Sequence, residues 1–347
     1  MRTTSGRSRS RSSGPTVQDV ATAAEVSTAT VSRAFNAPEK VAPEIRAKVL
    51  RVAATLGWMP HPAGAALASR RTWLIGVLIP TLDNDVFARQ VGALQTRVAQ
   101  DGITVLIGCS NYDPDQALNQ VRAMLARGVE ALAIVGEAQH PELFDLIAAR
   151  GVPYVVTYGW REGMAHPAIG FDNAAAFEQI AAHLLGLGHR TFGLIHQPCR
   201  NNDRVVARIV GLEQALARAG LALRPQHRRE CAASIECGAS ALRAIMAAEG
   251  PRPTAIICGN DTLAIGALTA ARALGLQVPG DLSITGFDDS AMAAYVDPPL
   301  TTSHVDTAEI GQRAADYLLA RLAGETPVTP PPLPSVLRIR QSTGPAS

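Results

Sequence analysis

From residue 74 onward, short apolar runs alternate with amphipathic stretches, and this alternation limits the chain more than any other feature. Runs near Leu74–Ile79, Thr104–Cys109, Ala131–Val135 and Tyr154–Thr157 have the length and composition of buried strands. Between them, Val86–Gln100, Asp115–Arg127 and Pro141–Arg150 carry apolar residues at helical spacing. The pattern then repeats, with strands near Phe192–His196, Ala255–Cys258 and Ser283–Phe287 and helices near Ala174–Leu187, Arg204–Ala219, Ile235–Ala248 and Thr262–Leu274. A strand that is apolar on both faces needs cover on both, so helices must flank parallel strands. The expected class is therefore α/β, with two lobes of doubly wound parallel sheet and a ligand cleft between them at the carboxyl ends of strands. A last helix, Thr307–Leu322, and a strand, Val336–Ile339, complete the body.

The segment ahead of this body reads differently. Three helical bursts, Val17–Ala24, Thr28–Phe35 and Pro43–Leu56, lie between Thr16 and Gly57, with Ser27 placed to cap the second and Gly57 to end the third. Val20, Ala21, Val26, Val31 and Phe35 would close one small core, joined by Ile45, Val49 and Val52 from the third burst. That leaves Thr28, Ala29, Ser32 and Arg33 facing outward. A Pro-rich joint from Trp58 to Pro62 and the small-residue run Ala63 to Ser69 then lead to the first strand. The expected organisation is a disordered basic tail over 1–14, an all-α unit over 15–60, a hinge over 61–72 and the two-lobed body over 73–340. The lobes are expected over 73–172 with 300–325, and over 173–299 with 326–340.

Charge divides between these parts. Of 32 basic and 30 acidic residues, ten basic and four acidic fall in residues 1–70, leaving +6 there and −4 in the rest. A basic module on a mildly acidic body suits contact with phosphates. The five cysteines, Cys109, Cys199, Cys231, Cys237 and Cys258, are odd in number and never spaced as C-x-x-C, which argues for a reduced chain without a zinc or disulfide framework. No segment approaches the roughly 18 unbroken apolar residues of a membrane span, and the Arg/Ser-rich start has no apolar run behind it, so a cytoplasmic chain is expected. Neither a phosphate-cradling glycine loop, nor a nucleophile with its base, nor a metal set stands out; catalysis, metals and cofactors are not expected.

The stretch TVQDVATAAEVSTATVSRAFN, Thr16 to Asn36, has the length of a helix-turn-helix, whose second helix must offer short polar side chains to base edges. From periodicity alone an ordinary small bundle stays equally open. The wording adds more: D-V-A at Asp19–Ala21, V-S at Val26–Ser27, T-V-S-R at Thr30–Arg33 and then Asn36 resemble the LacI/GalR family of bacterial transcription regulators. The resemblance continues through the P-H-P-A and A-L-A hinge, I-G-V at Ile75, G-H-R at Gly188, N-D at Asn260, G-F-D-D at Gly286 and P-P-L-T-T at Pro298, covering roughly residues 16–340. It implies a homodimeric repressor on a pseudo-palindromic double-stranded DNA operator, with a periplasmic-binding-protein-like body that takes a small sugar or sugar derivative. Carried over by position, Thr28, Ala29 and Arg33 read bases, with Arg33 suited to guanine and Ala29 able to touch only a thymine methyl. Ser27, Thr30, Ser32 and Asn36 lie nearer phosphates, and Thr16 joins the DNA-binding set. Leu67 matches the hinge leucine that wedges into the minor groove, unless it merely packs in a linker.

In the body the resemblance places Arg208, Asn260, Asp288 and Phe171 at the effector, with Asp83, Asn84 and Phe87 as weaker candidates. Sugar hydroxyls call for bidentate donors and acceptors beside an aromatic face. Read alone, Arg208 would be a surface residue of its helix, and Asp261 and Asp289 would be helix caps. The chain departs from the family at Tyr158, where many members carry an acid; Trp160, Asp172 and Asp203 are substitutes to consider. A stand-alone sugar-binding protein, and an effector such as a purine or sugar acid, stay open as alternatives.

Overall fold

The computed structural model describes residues 14–59 and 71–346, which form two compact units divided between Thr72 and Trp73. Residues 1–13 of the expected tail and 61–70 of the expected hinge, Leu67 among them, lie outside the described residues.

The first unit holds α1 (Val17–Ala24), α2 (Thr28–Asn36) and α3 (Pro43–Leu56). Each start has a local cause. Thr16 and Asp19 form a capping box on α1, the Ser27 hydroxyl accepts from the Thr30 amide on α2, and Pro43 opens α3. Gly57, at φ 64°, ends α3 in a left-handed turn. Val20, Ala24, Val31, Ala34 and Val49 are fully buried between the helices. Ile45, expected in this core, is 40% exposed. The fourteen-residue α3 outruns the eight- and nine-residue helices it packs on, so its first turn stays in solvent. Trp58, expected in the joint, instead packs edge-on against Phe35 with ring centroids 5.4 Å apart.

The second unit contains two sheets. The first runs β2–β1–β3–β4–β5, from β1 (Leu74–Ile79), β2 (Thr104–Cys109), β3 (Ala131–Val135), β4 (Tyr154–Thr157) and β5 (Ala168–Ile169), all parallel. The second runs β11–β10–β9–β8–β6–β7, from β6 (Phe192–His196), β7 (Arg228–Glu230), β8 (Ala255–Cys258), β9 (Ser283–Phe287), β10 (Thr301–His304) and an antiparallel β11 (Val336–Arg338). Helices α4 (Asp85–Ala99), α5 (Pro114–Ala126) and α6 (Pro141–Ala149) belong to the first lobe; α7 (Asn173–Gly186), α8 (Asp203–Arg218), α9 (Ile235–Met246) and α10 (Asp261–Ala273) belong to the second. Helix α11 (Thr307–Leu322) returns to pack on α4 and on β3, β4 and β5 of the first.

One expected lobe limit moves. Residues 301–303 pair with β9, Thr302 opposite Gly286, and His304 pairs with β11, so the chain returns to the first lobe only after His304 and not from residue 300. The strand is T-T-S-H, fully polar yet buried over Thr301, Thr302 and Ser303, and apolar patterning has no means of finding it. Its polarity is answered locally, by Ser342 on the Thr301 amide at 2.8 Å and by Asp261 on the Thr302 hydroxyl at 2.6 Å.

Helix pairs are seated at glycines. A Cβ on Gly211 of α8 would run into the Ala174 carbonyl of α7, and one on Gly311 of α11 into the Gln90 carbonyl of α4. Gly311→Ala is expected to cost about 1–3 kcal/mol by forcing α11 off α4. Gly92→Ala on the same α4, where an added Cβ meets nothing within 4 Å, is expected to be neutral or stabilising. Urea melts of the two variants check this; equal effects would mean that the α4–α11 contact tolerates expansion.

Candidate functional site

On the first unit, α2 presents Thr28, Ala29, Arg33 and Asn36 to solvent, with Thr30 and Ser32 half-buried. The cap fixes how this helix begins: Ser27 Oγ takes the Thr30 amide at 3.1 Å and sits 2.9 Å from the Thr30 hydroxyl. At the other end the Asn36 amide donates to Ser32 Oγ at 3.3 Å. Thr16 is occupied differently, since its hydroxyl and amide both donate to Asp19 at 2.7 Å. Arg33 enters no ion pair among the described residues and stands free on the exposed face. Leu67 lies outside the described residues.

In the second unit the effector candidates come from the carboxyl ends of strands and the starts of the helices that follow. Asn84, after β1, caps α4 by accepting from the Val86 amide at 3.2 Å. Asn260, after β8, caps α10 by accepting from Leu263 at 3.0 Å. Asp288, after β9, is 7% exposed and held at φ 105°. Tyr158, after β4, crosses from the first lobe to donate its hydroxyl to Asp288 Oδ1 at 2.8 Å.

Arg208 is the centre of the arrangement. The sequence alone made it a surface residue; it is 5% exposed. Its Nε donates to Asn173 Oδ1 at 2.8 Å and a terminal nitrogen donates to the Gly259 carbonyl at 3.0 Å. Its guanidinium carbon lies 3.7 Å from the Phe287 ring centroid. Phe171 stacks on Phe287 at 5.9 Å and meets Tyr158 edge-on at 5.2 Å, and Phe87 meets the other side of Tyr158 at 5.3 Å. Phe171 therefore backs the site from within the core.

Two cavities open on these groups. The inner one, about 20 Å³, is lined by Asn84, Phe87, Tyr158, Arg208 and Asp288 together with Arg204 and others. The outer one, about 620 Å³, takes in Asp83, Asn84 and Asn260. Gln197 lines both, and Asn202 the inner; their buried Oε1 and Oδ1 have no hydrogen-bond partner. Sequence reasoning missed Gln197, Asn202, Asn173 and Arg204. A signal existed for Arg204, which sits one turn before Arg208 and so on the same face of an amphipathic helix. Other candidates have different employment: Asp172 caps α7, Asp289 pairs with Arg340, and Asp203 pairs with Arg204 at 3.0 Å while accepting from the Glu137 amide. Trp160 is half-buried, bridged to Asp172.

Burial governs the ionisation here. It raises the Asp288 carboxyl to about 6, although Arg208 and the Tyr158 hydroxyl pull the other way. It also drives the Tyr158 hydroxyl well up and lowers Arg208. Asp261, beneath the site, is raised from 3.8 to about 7 despite hydrogen bonds from Thr302 and Ser290. The folded chain thus keeps a proton that the unfolded chain releases, so the Asp261 contribution is full below pH 3.8 and is lost as pH rises to about 7. Asp261→Asn, which cannot ionise, is expected to improve relative to the native chain between pH 5 and pH 8 in urea melts. A constant difference would show that the carboxyl is ionised throughout.

Residues 16–61 match the family model of bacterial regulatory proteins, lacI family, and residues 181–343 match a periplasmic binding protein-like domain. The HTH-type transcriptional repressor CytR of Escherichia coli is 30% identical, covering 92% of this chain and 93% of the relative. The ribose operon repressor of Haemophilus influenzae is 32% identical over 88% and 92%. Among solved structures, the lac repressor dimer bound to operator and the anti-inducer ONPF superposes with TM-score 0.84 at 29% identity, covering 96% of this chain and all of that one. A regulator from Silicibacter pomeroyi reaches 0.87 at 24%, over 94% and 99%, which speaks for the fold. Helix-turn-helix wording, a two-lobed body and relatives that span nearly its whole length together make this chain a member of the LacI family of bacterial transcription regulators.

Proposed function

We propose that this regulator is a repressor, bound as a homodimer to a pseudo-palindromic operator through α2 and controlled by a small carbohydrate-like effector between its lobes. One observation carries the effector reading: two buried acceptors, Gln197 Oε1 and Asn202 Oδ1, stand unpartnered at a pocket whose other polar groups include Arg208, Asp288 and Tyr158. An orphaned buried acceptor costs about 1–3 kcal/mol, and a ligand rich in hydroxyls relieves that cost with the donors it brings. Tyr158 already lends one hydroxyl to Asp288, in the manner expected of a sugar. The names of the relatives agree, one being a ribose operon repressor and one solved neighbour a CelR–cellobiose complex. Arg204 and Arg208, both on the inner pocket, favour a sugar acid as the second reading.

Control follows if the ligand binds one relative placement of the lobes better than another. Among the described residues no helix is long and apolar enough to cross a membrane, which agrees with an operator-bound role. Arg33→Ala is expected to weaken specific operator binding by about 5- to 150-fold, the range of one bidentate base contact, while leaving effector affinity unchanged. Asp288→Ala is expected to do the reverse. Anisotropy titration on promoter DNA and fluorescence titration against sugars, sugar acids and purines check both; parallel loss of the two activities in either variant would refute the division of labour.

A further inference from the structure

Three side chains that the cleft does not use meet at the carboxyl end of the second sheet. His196 ends β6, Glu230 ends β7, and the two are register partners across that parallel pair. Cys199 lies three residues past His196, in the turn leading to α8. Their ligand atoms all lie within 4.8 Å of one another. His196 Nδ1 and Cys199 Sγ are 3.8 Å apart, and the Cys199 amide donates to Glu230 Oε2 at 3.2 Å, tying the turn to the carboxylate. Zinc bonds of about 2.0–2.3 Å put tetrahedral ligands roughly 3.3–3.8 Å apart, so the widest spacing has to close by about 1 Å.

A cation already serves this cluster. Arg228 donates from Nε to His196 Nε2 at 3.0 Å, and its terminal nitrogens lie 3.9 Å from Cys199 Sγ and 3.3 Å from Glu213 Oε1. Its side chain is 38% exposed, so it has solvent to retreat into. His196 Nδ1 donates to the Gln197 carbonyl at 2.7 Å, which fixes the tautomer: proton on Nδ1, lone pair on Nε2 toward Arg228.

We propose that His196, Cys199 and Glu230 form a site for a divalent transition metal, zinc above all, and that the ion and the Arg228 guanidinium replace one another there. Thiolate, imidazole and carboxylate together suit a borderline-soft ion. On binding, Cys199 releases its thiol proton to solvent and ligates as thiolate. His196 ligates through Nδ1, and its ring proton moves to Nε2. A protonated Nε2 no longer accepts from Arg228, so the guanidinium leaves, and water or Glu213 takes the fourth position. The same shift removes the donor from the Gln197 carbonyl, and the Gln197 side chain lines both cavities of the cleft. The ion is thereby linked to effector binding, a link that rests on the effector reading as the site itself does not.

The test titrates the full chain, reduced and metal-free, with Co²⁺ and then with Zn²⁺. One Co²⁺ per chain is expected, with a thiolate-to-cobalt absorption band that Zn²⁺ bleaches. Cys199→Ala is expected to lose the band, and His196→Gln and Glu230→Gln to weaken binding at least about tenfold. Arg228→Ala removes the competing cation without touching a ligand and is expected to tighten binding several-fold, so the proposal is testable even if His196→Gln fails to fold. Absence of the band, its survival in Cys199→Ala, or weaker binding in Arg228→Ala would each overturn the site.

Discussion

The second unit depends on keeping one guanidinium out of water. A cation buried without compensation costs several kcal/mol, and Arg208 is compensated by four groups from three segments: Asn173 at the start of α7, the Gly259 carbonyl after β8, and the Phe287 ring with Asp288 at the end of β9. Asp288 in turn receives the Tyr158 hydroxyl from the other lobe. The strand ends are thus arranged around a charge, and the cleft is the space left beside it. Because Asp288 is shared between Arg208 and Tyr158, a hydroxylated ligand that takes over the tyrosine's bond alters the tie between lobes directly.

Most of the fold was legible because its strands are apolar on both faces and its helices amphipathic, and that contrast survives in the linear sequence. Besides the two-residue β5, too short to show a pattern, what escaped were strands that satisfy polarity instead of avoiding it. Strand β10 is T-T-S-H with buried hydroxyls, and β7 is R-R-E at a sheet edge; neither has an apolar signature. With β10 unassigned, the lobe limit fell several residues too early. Ile45 and Trp58 exchanged places in the small core because periodicity gives the face of a helix but not how far its neighbours extend along it.

The placement of Asp288 and Asn260 at the candidate pockets was legible from strand-to-loop position together with family wording, and that of Arg208 from family wording only. The residues that escaped, Asn173, Gln197 and Asn202, are ordinary amides that only the tertiary fold brings to Arg208 and the inner pocket. Cys199 and His196 show the same limit. Their spacing of three is visible in the sequence, but Glu230 is brought to them by the β6–β7 pairing from more than thirty residues away. A search for paired cysteines had no reason to stop there.

The chain passes between lobes three times, entering the second at α7, returning with α11, and finishing with β11 back in the second sheet. During synthesis this ordering has a cost in time. The first sheet is fully translated by residue 169, yet the helix that covers α4, with Gly311 seated on Gln90, emerges more than a hundred residues later. Until then the nascent first lobe carries an uncovered apolar face, and neither lobe is complete before nearly the whole body has left the ribosome. A pause in translation between residues 170 and 307 therefore leaves that face without its covering helix, the kind of exposed apolar surface through which partly folded chains associate.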